Sequence, residues 1–195
     1  MDISHQPNVR PVPLNKAYLL LNHGPVTLVS SQSEGSVNLM AAAWVMPLDF
    51  DPPKVAIVID KQTRTRQLVE SSGSFALNVP GRNQLTLTRQ AGQLSALSQP
   101  QKWQELGCVA LKGSQPDTVL IEGCVAWLEC RIIPQPAQQT QFDLFLAEVT
   151  HAWADQRQFR DARWHFDDPD RRTIHYVSGG QFFETGPAIQ NTQAD

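Results

Sequence analysis

The chain has 195 residues, which suits a single domain, and a formal net charge of −3 from 16 Lys and Arg against 19 Asp and Glu. A chain of this length buries roughly 70% of its unfolded surface, so it needs neither disulfides nor a structural metal. The mild acidity argues against nucleic acid as a partner, and no apolar run is long enough to cross a bilayer.

The cysteines and the N-terminus predict a compartment for the protein. The cysteine count is odd, and no pair has the C-x-x-C spacing of a metal or redox site. The N-terminus has no apolar signal core. We therefore expect a cytoplasmic protein without membrane contact, in which the cysteines are small buried residues: Cys108, Cys124 and Cys130.

The first part of the chain is predicted to form strands. Residues 1–13 are polar and rich in proline, and we expect a loose arm or a lead-in along a sheet edge. Strands are predicted at 25–31 and 37–45, on either side of a turn, because both runs are apolar and bounded by turn residues. Residues 47–53 are predicted as a loop.

The next segment, 53–78, is the one on which the interpretation depends. A β-branched run at 55–59 follows a Pro-Pro pair and predicts a buried strand. Residues 65–72 predict a short helix, which ends at Gly73. A second strand is predicted at 75–79.

The remainder of the chain alternates short helices with longer strands. The apolar run 118–133 is too long for a flat strand, so we expect a bend or bulge near Gly123. The other predicted elements are a helix at 83–92 with Asn83 as its N-cap, a helix at 102–106, strands at 144–153 and 173–177, a loop at 134–140, a charged loop at 155–170 with a helical possibility at 157–163, and a polar tail at 187–195.

These elements favour a barrel. Six or seven strands joined mostly by short turns, with two or three short helices, lack the strand-helix rhythm of a parallel sheet. Closure removes the exposed edges that so many strands would create. We therefore predict a mostly antiparallel closed β-barrel in a single domain.

The start of the helix at 65–72 has an unusual charge. Acidic residues stabilise a helix N-terminus, yet Lys61, Arg64 and Arg66 lie here, with Thr63 and Thr65 between them. Cations, hydroxyls and free backbone N–H groups at one turn are what a phosphate needs. The alternative is a solvated basic turn, and the segment alone does not decide between the two.

Other motifs narrow the kind of ligand. No dinucleotide-binding glycine fingerprint, P-loop, nucleophile elbow or metal-ligand spacing is present, and the five histidines are scattered. The small-residue run 41–43 would let a flat ring approach the backbone, and Trp44 could cover that ring or simply cap the core. Asn38 could bond the polar edge of a ring or close a turn. Together these features suggest a mononucleotide-like cofactor.

The segment PVTLVSSQSEGSVNLMAAAWVMPLDFDPPKVAIVIDKQTRTRQLVESSGSFALNVPG resembles the flavin reductase-like family, including the flavoredoxins. The shared features are a Pro-Val strand, a Gly turn, Asn, a small-residue run, Trp, a Pro-Pro loop, a strand, a Lys/Thr turn and Phe-x-x-Asn-x-Pro. The resemblance covers roughly residues 18–185. It implies a Greek-key split β-barrel that binds FMN, takes hydride from NADH or NADPH, and forms a homodimer with the flavin near the interface.

The resemblance also implies roles for particular residues. The ring would lie near Asn38 and Trp44 and against the backbone of Ala41, Ala42 and Ala43. The phosphate would be held by the basic turn, and a family lysine and a late aromatic residue would reach the cofactor. The phosphate-holding residues of the turn would be Lys61, Thr63, Arg64 and Thr65. Lys102 resembles the family lysine, and Phe182 resembles the late aromatic residue. No acid–base catalytic residue follows, because hydride transfer is chemistry of the cofactor.

One departure from the family separates the functional alternatives. Family members commonly carry a His shortly before the strand that contains FLAEV here, and Gln141 and Phe142 occupy that region. The resemblance therefore implies FMN binding, whereas the missing His separates this chain from the family pattern for reductase activity. The alternatives to a flavin reductase are a non-catalytic FMN electron carrier and a split barrel that binds another phosphate-bearing ligand.

Overall fold

The long strands pair antiparallel into one curled sheet. The computed structural model describes residues 1–189. Its strands are β1 (Val9–Pro11), β2 (Thr27–Ser33), β3 (Ser36–Ala42), β4 (Val45–Phe50), β5 (Pro53–Val58), β6 (Ser74–Val79), β7 (Ala110–Lys112), β8 (Val119–Ile121), β9 (Ala126–Ile133), β10 (Leu144–Asp155), β11 (Phe159–Arg160), β12 (Arg163–Trp164), β13 (Ile174–Ser178) and β14 (Gln181–Glu184).

Short helices lie between the strands. The α-helices are α1 (Arg64–Ser72), α2 (Leu85–Gln93), α3 (Lys102–Leu106) and α4 (Pro136–Phe142). The 3-10 helices are Ile3–His5, Leu14–Leu20, Arg82–Gln84 and Pro169–Arg171. None of the helices described within residues 1–189 is long and apolar enough to span a membrane.

The strand order shows how the sheet closes. The large sheet runs β3-β2-β6-β9-β10-β5-β4, with β1 paired to β10, and its pairs are antiparallel. β3 and β4 are consecutive in the chain, with only Ala43 and Trp44 between them, yet they lie at opposite ends of this order. The sheet has therefore curled until its two ends meet at this connection, which we call the seam. The predicted mostly β, antiparallel architecture is confirmed.

The sheet is buried on both faces near its centre. In β6, Phe75 and Leu77 belong to one apolar cluster, together with Ile57 and Phe145, and the intervening Ala76 belongs to a second cluster. The first cluster fills the barrel, and the second lies under the outer elements α2, α3 and β8. Because the side chains of a strand alternate between the two faces of the sheet, β6 carries apolar residues on both faces.

Local signals correctly predicted the strand-helix-strand unit in the middle of the chain. The Thr63 hydroxyl accepts a hydrogen bond from the Arg66 N–H at 3.1 Å and so caps α1. Gly73 ends the helix with φ of 70°, in the left-handed region that favours glycine. The following strand carries Asn78, which is fully buried and makes three side-chain hydrogen bonds, two to β2 and one to β8.

Several predicted loops are ordered elements instead. The loop predicted at 47–53 is largely β4, an edge strand that tolerates Pro47 because a bulge interrupts its pairing there. The loop predicted at 134–140 contains α4, which begins at Pro136, a favoured first helical residue. Of the two alternatives predicted for residues 1–13, the loose arm is wrong. The segment leads along the sheet, because β1 pairs with β10.

Two predicted elements are interrupted by backbone turns. The run 118–133 is not one bent strand, because Gly123 with φ of 85° lies between β8 and β9. The helix suggested at 157–163 is the hairpin β11–β12, whose two turn residues, Asp161 and Ala162, have positive φ. Asn83 lies inside a 3-10 turn and is not the N-cap of α2. The predicted tail is described only as far as residue 189.

The hairpin β13–β14 is a separate two-stranded sheet held to the barrel by polar contacts. The Ile174 carbonyl accepts from the Val26 N–H at 2.9 Å. The His23 Nε2 lies 2.9 Å from the Thr173 hydroxyl, and a His175 nitrogen lies 2.9 Å from the Thr185 hydroxyl. The two hydroxyls are 2.6 Å apart. The base of the hairpin is therefore fixed by a small hydroxyl-imidazole network.

The buried position of His23 in this network predicts that the folded protein loses stability in acid. Burial, and secondarily the nearby His175, lowers the pKa of His23 from 6.5 to about 4. Between pH 6.5 and 4 the unfolded chain therefore binds more protons than the folded one, so stability falls as the pH falls. Since one pKa unit corresponds to about 1.4 kcal/mol, we expect a loss of about 3 kcal/mol across this range.

The measurement is the melting temperature between pH 7 and 4 for the protein and for His23→Phe, which keeps an aromatic ring between Trp164 and His175. The variant should show a clearly shallower decline. His5→Asn, on the surface, should leave the decline unchanged. Equal slopes for the protein and His23→Phe would contradict the assignment.

Candidate functional site

A large cavity opens beside the seam. Its volume is about 910 Å³. Its walls are the β3–β4 connection, the C-terminal half of α2, the ends of β5 and α4, and the hairpin β13–β14. A cavity of this size accommodates a small cofactor.

The seam forms the apolar wall of the cavity. Residues 40–44 all line it, which includes the predicted Ala41, Ala42, Ala43 and Trp44. Helix α2 packs closely against the seam at Gly92, where an added Cβ would lie 3.4 Å from the Ala41 Cβ. The small side chains therefore leave room for a flat molecule against the backbone of the seam.

Aromatic side chains surround the mouth of the cavity. Trp44 is 76% exposed, so it does not cap the core. The predicted Phe182 lines the cavity from β14 and packs edge-on against Tyr176, with ring centroids 5.3 Å apart. Phe142, at the end of α4, is 60% exposed and lines the same space. The mouth can therefore stack planar rings.

Asn38 lies beneath the cationic turn rather than in the cavity wall. It is buried, and its amide donates to the Thr65 hydroxyl at 2.9 Å. Its carbonyl oxygen is also buried but has no hydrogen-bond partner within residues 1–189. An orphaned buried acceptor costs free energy unless a ligand or water pairs with it. The turn-closing role considered for Asn38 does not account for this oxygen.

The cationic turn lies beside the cavity. Asp60, which begins the turn, lines the cavity, but the four predicted phosphate-binding residues do not. The Thr63 hydroxyl donates to the Asp60 carbonyl at 2.8 Å as well as capping α1. Arg64 donates to the Gln67 side chain at 2.8 Å, and Lys61 is exposed. The first amides of α1 have no partner inside the helix, so the turn can still accept an anion.

Arg66 is the cation that sequence reasoning misjudged. The sequence places it with Lys61 and Arg64 at the start of the helix, but it is buried and forms ion pairs with Glu70 at 2.6 Å and Asp143 at 3.0 Å. It also donates to the carbonyls of Ile59 and Gln139 at 2.9 Å. Its charge is therefore neutralised within the chain, and two cations, not three, remain free at the turn.

Lys102 is not brought to the cavity. It is buried, and its ammonium donates to the Ala91 carbonyl in α2 at 2.9 Å. Burial lowers its pKa from 10.5 to about 8. In this arrangement Lys102 joins α3 to α2, the helix that forms one wall of the cavity.

The cavity also contains residues that the sequence did not single out. Arg89 and Gln93 on α2, Tyr176 on β13, and Asp60 and Asp143 all line it. A helical spacing of four places Arg89 and Gln93 on one face of α2, a signal that was available in the sequence. No local pattern, however, indicated that this face borders the seam.

Fold and cavity together define the class of protein: an antiparallel barrel, split at one seam, with a ligand-sized cavity beside that seam. Residues 20–173 match the family described as flavin reductase like domain. The chain belongs to this flavin reductase-like family, and the resemblance and the split-barrel fold predicted from the sequence are confirmed.

Particular relatives support this assignment. The uncharacterized protein YddH of Escherichia coli (strain K12) is 40% identical over 182 residues, which cover 92% of this chain and 96% of that protein. The crystal structure of an FMN-binding domain of a flavin reductases-like enzyme from Shewanella baltica OS155 superposes with a TM-score of 0.91 at 45% identity, covering 94% of this chain and 97% of that one.

A more distant structure shares the fold. The flavoredoxin of Desulfovibrio vulgaris (Miyazaki F) has a TM-score of 0.74 at 22% identity and covers 88% of this chain and 91% of that one.

The contacts of Arg66 generate a stability prediction. Arg66→Gln leaves the Asp143 carboxylate and two carbonyls without their donor, so the free energy of unfolding should fall by about 3 kcal/mol. The measurement is urea unfolding of the ligand-free protein. The matched control is Arg64→Gln, which loses one partly exposed hydrogen bond and should cost less than about 1 kcal/mol. Equal losses for the two variants would refute the bridging role of Arg66.

Proposed function

We propose that this protein binds FMN at the seam and acts as an oxidoreductase that accepts hydride from NADH or NADPH. The observation that carries the proposal is the junction of two unlike surfaces. A wall of small side chains with an exposed indole runs into a turn that offers hydroxyls, two free cations and a helix N-terminus. A planar ring joined to a phosphate matches this pair of surfaces.

The phosphate would bind at the turn. Lys61 and Arg64 supply positive charge, the Thr65 hydroxyl supplies a polar contact, and the N–H groups of α1 that precede the capped Arg66 supply donors. The Thr63 hydroxyl would shape the turn, because its hydrogen is already donated to the Asp60 carbonyl. The bond from Asn38 already orients the Thr65 oxygen, and the hydrogen of that hydroxyl remains available. Thr65 is fully buried, so the turn must open for a phosphate to reach this hydroxyl.

The ring would lie against residues 41–44. Their small side chains allow close approach of the backbone, and Trp44 and Phe182 provide aromatic surface at the edge. The unpartnered Asn38 oxygen supports a donor-bearing ligand near the turn. The donor set therefore fits FMN, and Lys102, whose ammonium is already bonded to Ala91, is not needed for it.

Hydride transfer itself is chemistry that the flavin supplies when bound. The chain would contribute position and access. The exposed mouth between Trp44, Phe142 and Tyr176 leaves room for a nicotinamide to reach the ring directly, and the chain carries no dinucleotide-binding fingerprint for a separate nucleotide site. Donors at the polar edge of the ring would stabilise negative charge on the reduced flavin.

A second candidate function is supported by one residue. Phe142 lines the cavity in the region where family members commonly carry a His, and Gln141 beside it is exposed. A chain without that imidazole could bind FMN and pass electrons without accepting hydride from a nicotinamide. This carrier function would agree with the likeness to a flavoredoxin.

The proposal includes a homodimer. Within the described residues, β4 pairs only with β5, and alternate side chains along this edge strand are apolar and more than 45% exposed: Met46, Leu48 and Phe50. An exposed apolar edge favours association with another chain. Trp44 continues the same surface to the cavity mouth, so a second copy packed here would help to enclose the flavin.

The flavin-binding prediction compares FMN with riboflavin, which lacks the phosphate. Lys61→Ala with Arg64→Ala should weaken FMN binding by about 10- to 100-fold and riboflavin binding by less than about twofold, because only FMN uses the turn. The measurement is titration by flavin fluorescence and visible absorption. The control is Lys16→Ala with Arg163→Ala, two exposed cations that do not line the cavity.

Equal loss for both flavins would count against the phosphate site. Failure of the unmodified protein to take up FMN would favour a different phosphate-bearing ligand. The FMN-loaded protein is then given NADH or NADPH without oxygen. Loss of the visible flavin absorption supports the reductase, and an unchanged spectrum supports the carrier.

The dimer prediction concerns mass in solution. Met46→Glu with Phe50→Glu should convert the dimer to a monomer, because two like charges from each copy would be buried in an apolar interface. The measurement is size-exclusion chromatography with light scattering. Leu97→Glu, which alters an exposed apolar side chain in the α2–α3 loop, should leave the dimer intact. A monomeric unmodified protein would contradict the proposal.

A further inference from the structure

Arg89 is a cation of the cavity that the phosphate turn does not explain. It lies on α2, its side chain is exposed, and it lines the cavity beside the seam. Within residues 1–189 it has no ion pair and no side-chain hydrogen bond. Arg66, by contrast, is fully engaged by Asp143 and Glu70. Arg89 therefore presents an unused guanidinium to whatever enters the cavity.

The distribution of charge around the cavity favours an anion at this wall. The two acids that line the cavity, Asp60 and Asp143, lie on the wall formed by the ends of β5 and α4. Asp143 is neutralised by Arg66, and Asp60 accepts the Gln62 N–H at 2.7 Å. The α2 wall carries only Arg89 and neutral polar groups. A guanidinium is best suited to a phosphate, which it can hold with two parallel hydrogen bonds.

Neighbouring residues extend this wall into a small recognition surface. Gln93 lies one helical turn after Arg89 and can donate its amide to the same anion. Across the mouth, Tyr176 is 44% exposed and lies against Phe182, which makes an aromatic surface for a base. A phosphate beside an aromatic ring is the chemistry of a nucleotide.

We propose that Arg89, assisted by Gln93, binds a phosphate group of the nicotinamide dinucleotide that reduces the flavin. This inference rests on the proposed function, in which the phosphate of FMN is held by the separate turn at 61–65. The dinucleotide offers two kinds of phosphate: the 2′-phosphate, which only NADPH and NADP⁺ carry, and the pyrophosphate, which both dinucleotides share.

The experiment measures nucleotide binding to FMN-loaded protein by isothermal titration calorimetry, with NADP⁺ and NAD⁺ as ligands, so that its readout does not depend on turnover. Arg89→Gln should weaken binding by about tenfold. If the affinity falls for NADP⁺ alone, Arg89 binds the 2′-phosphate. If it falls equally for NADP⁺ and NAD⁺, Arg89 binds the pyrophosphate. In steady state the same change should raise KM about tenfold with kcat nearly unchanged.

The control is Arg163→Gln, which removes an equal charge from an exposed position on β12 outside the cavity. It should leave both affinities unaltered. Unchanged nucleotide binding in Arg89→Gln would overturn the inference, and so would loss of FMN affinity in place of nucleotide affinity. Failure of the proposed function is distinguishable, because it appears in the unmodified protein, which would then take up no FMN or, once loaded with FMN, would bind neither nucleotide and keep its visible flavin absorption when given NADH or NADPH.

Discussion

The buried guanidinium of Arg66 fixes the corner of the molecule on which the candidate site depends. From the first turn of α1 it reaches the carbonyl of Ile59 after β5, the carbonyl of Gln139 in α4, and the carboxylate of Asp143 that follows α4. It also lies over the ring of Phe145, with 4.5 Å between the guanidinium carbon and the ring centroid. Breaking these contacts would leave buried charges and carbonyls unpaired, so the segments that flank the cationic turn are held together before any ligand arrives.

The position of the cavity follows from how the sheet closes. Consecutive strands β3 and β4 stand at opposite ends of the strand order, so the chain itself crosses the gap through Ala43 and Trp44. The small side chains of residues 41–43 leave space beside the crossing, and α2 and the hairpin β13–β14 form the other walls of the cavity. A ligand placed there would contact the seam, the helix and the hairpin at once, which couples its binding to the packing of separately anchored elements. The hydroxyl-imidazole network around Thr173 is one of these anchors.

The sequence predicted those features whose cause is local. The cap at Thr63, the stop at Gly73 and the small-residue wall are each visible in a few neighbouring residues, and the family resemblance assembled them into a split barrel. Features that depend on distant partners were missed. The charge of Arg66 is plain in the sequence, but its partner Asp143 lies 77 positions away. Pro47 suggested a loop because nothing local showed that its strand would lie at a sheet edge.

The central claim is that FMN lies with its ring against residues 41–44 and its phosphate at the turn that Arg66 supports. A crystal structure of the protein grown with FMN tests this most directly. The account predicts the phosphate within hydrogen-bonding distance of the Thr65 hydroxyl and the first amides of α1, with the ring between the seam and Phe182. A structure in which FMN bound with its phosphate on Arg89, and with the turn left to solvent, would contradict it.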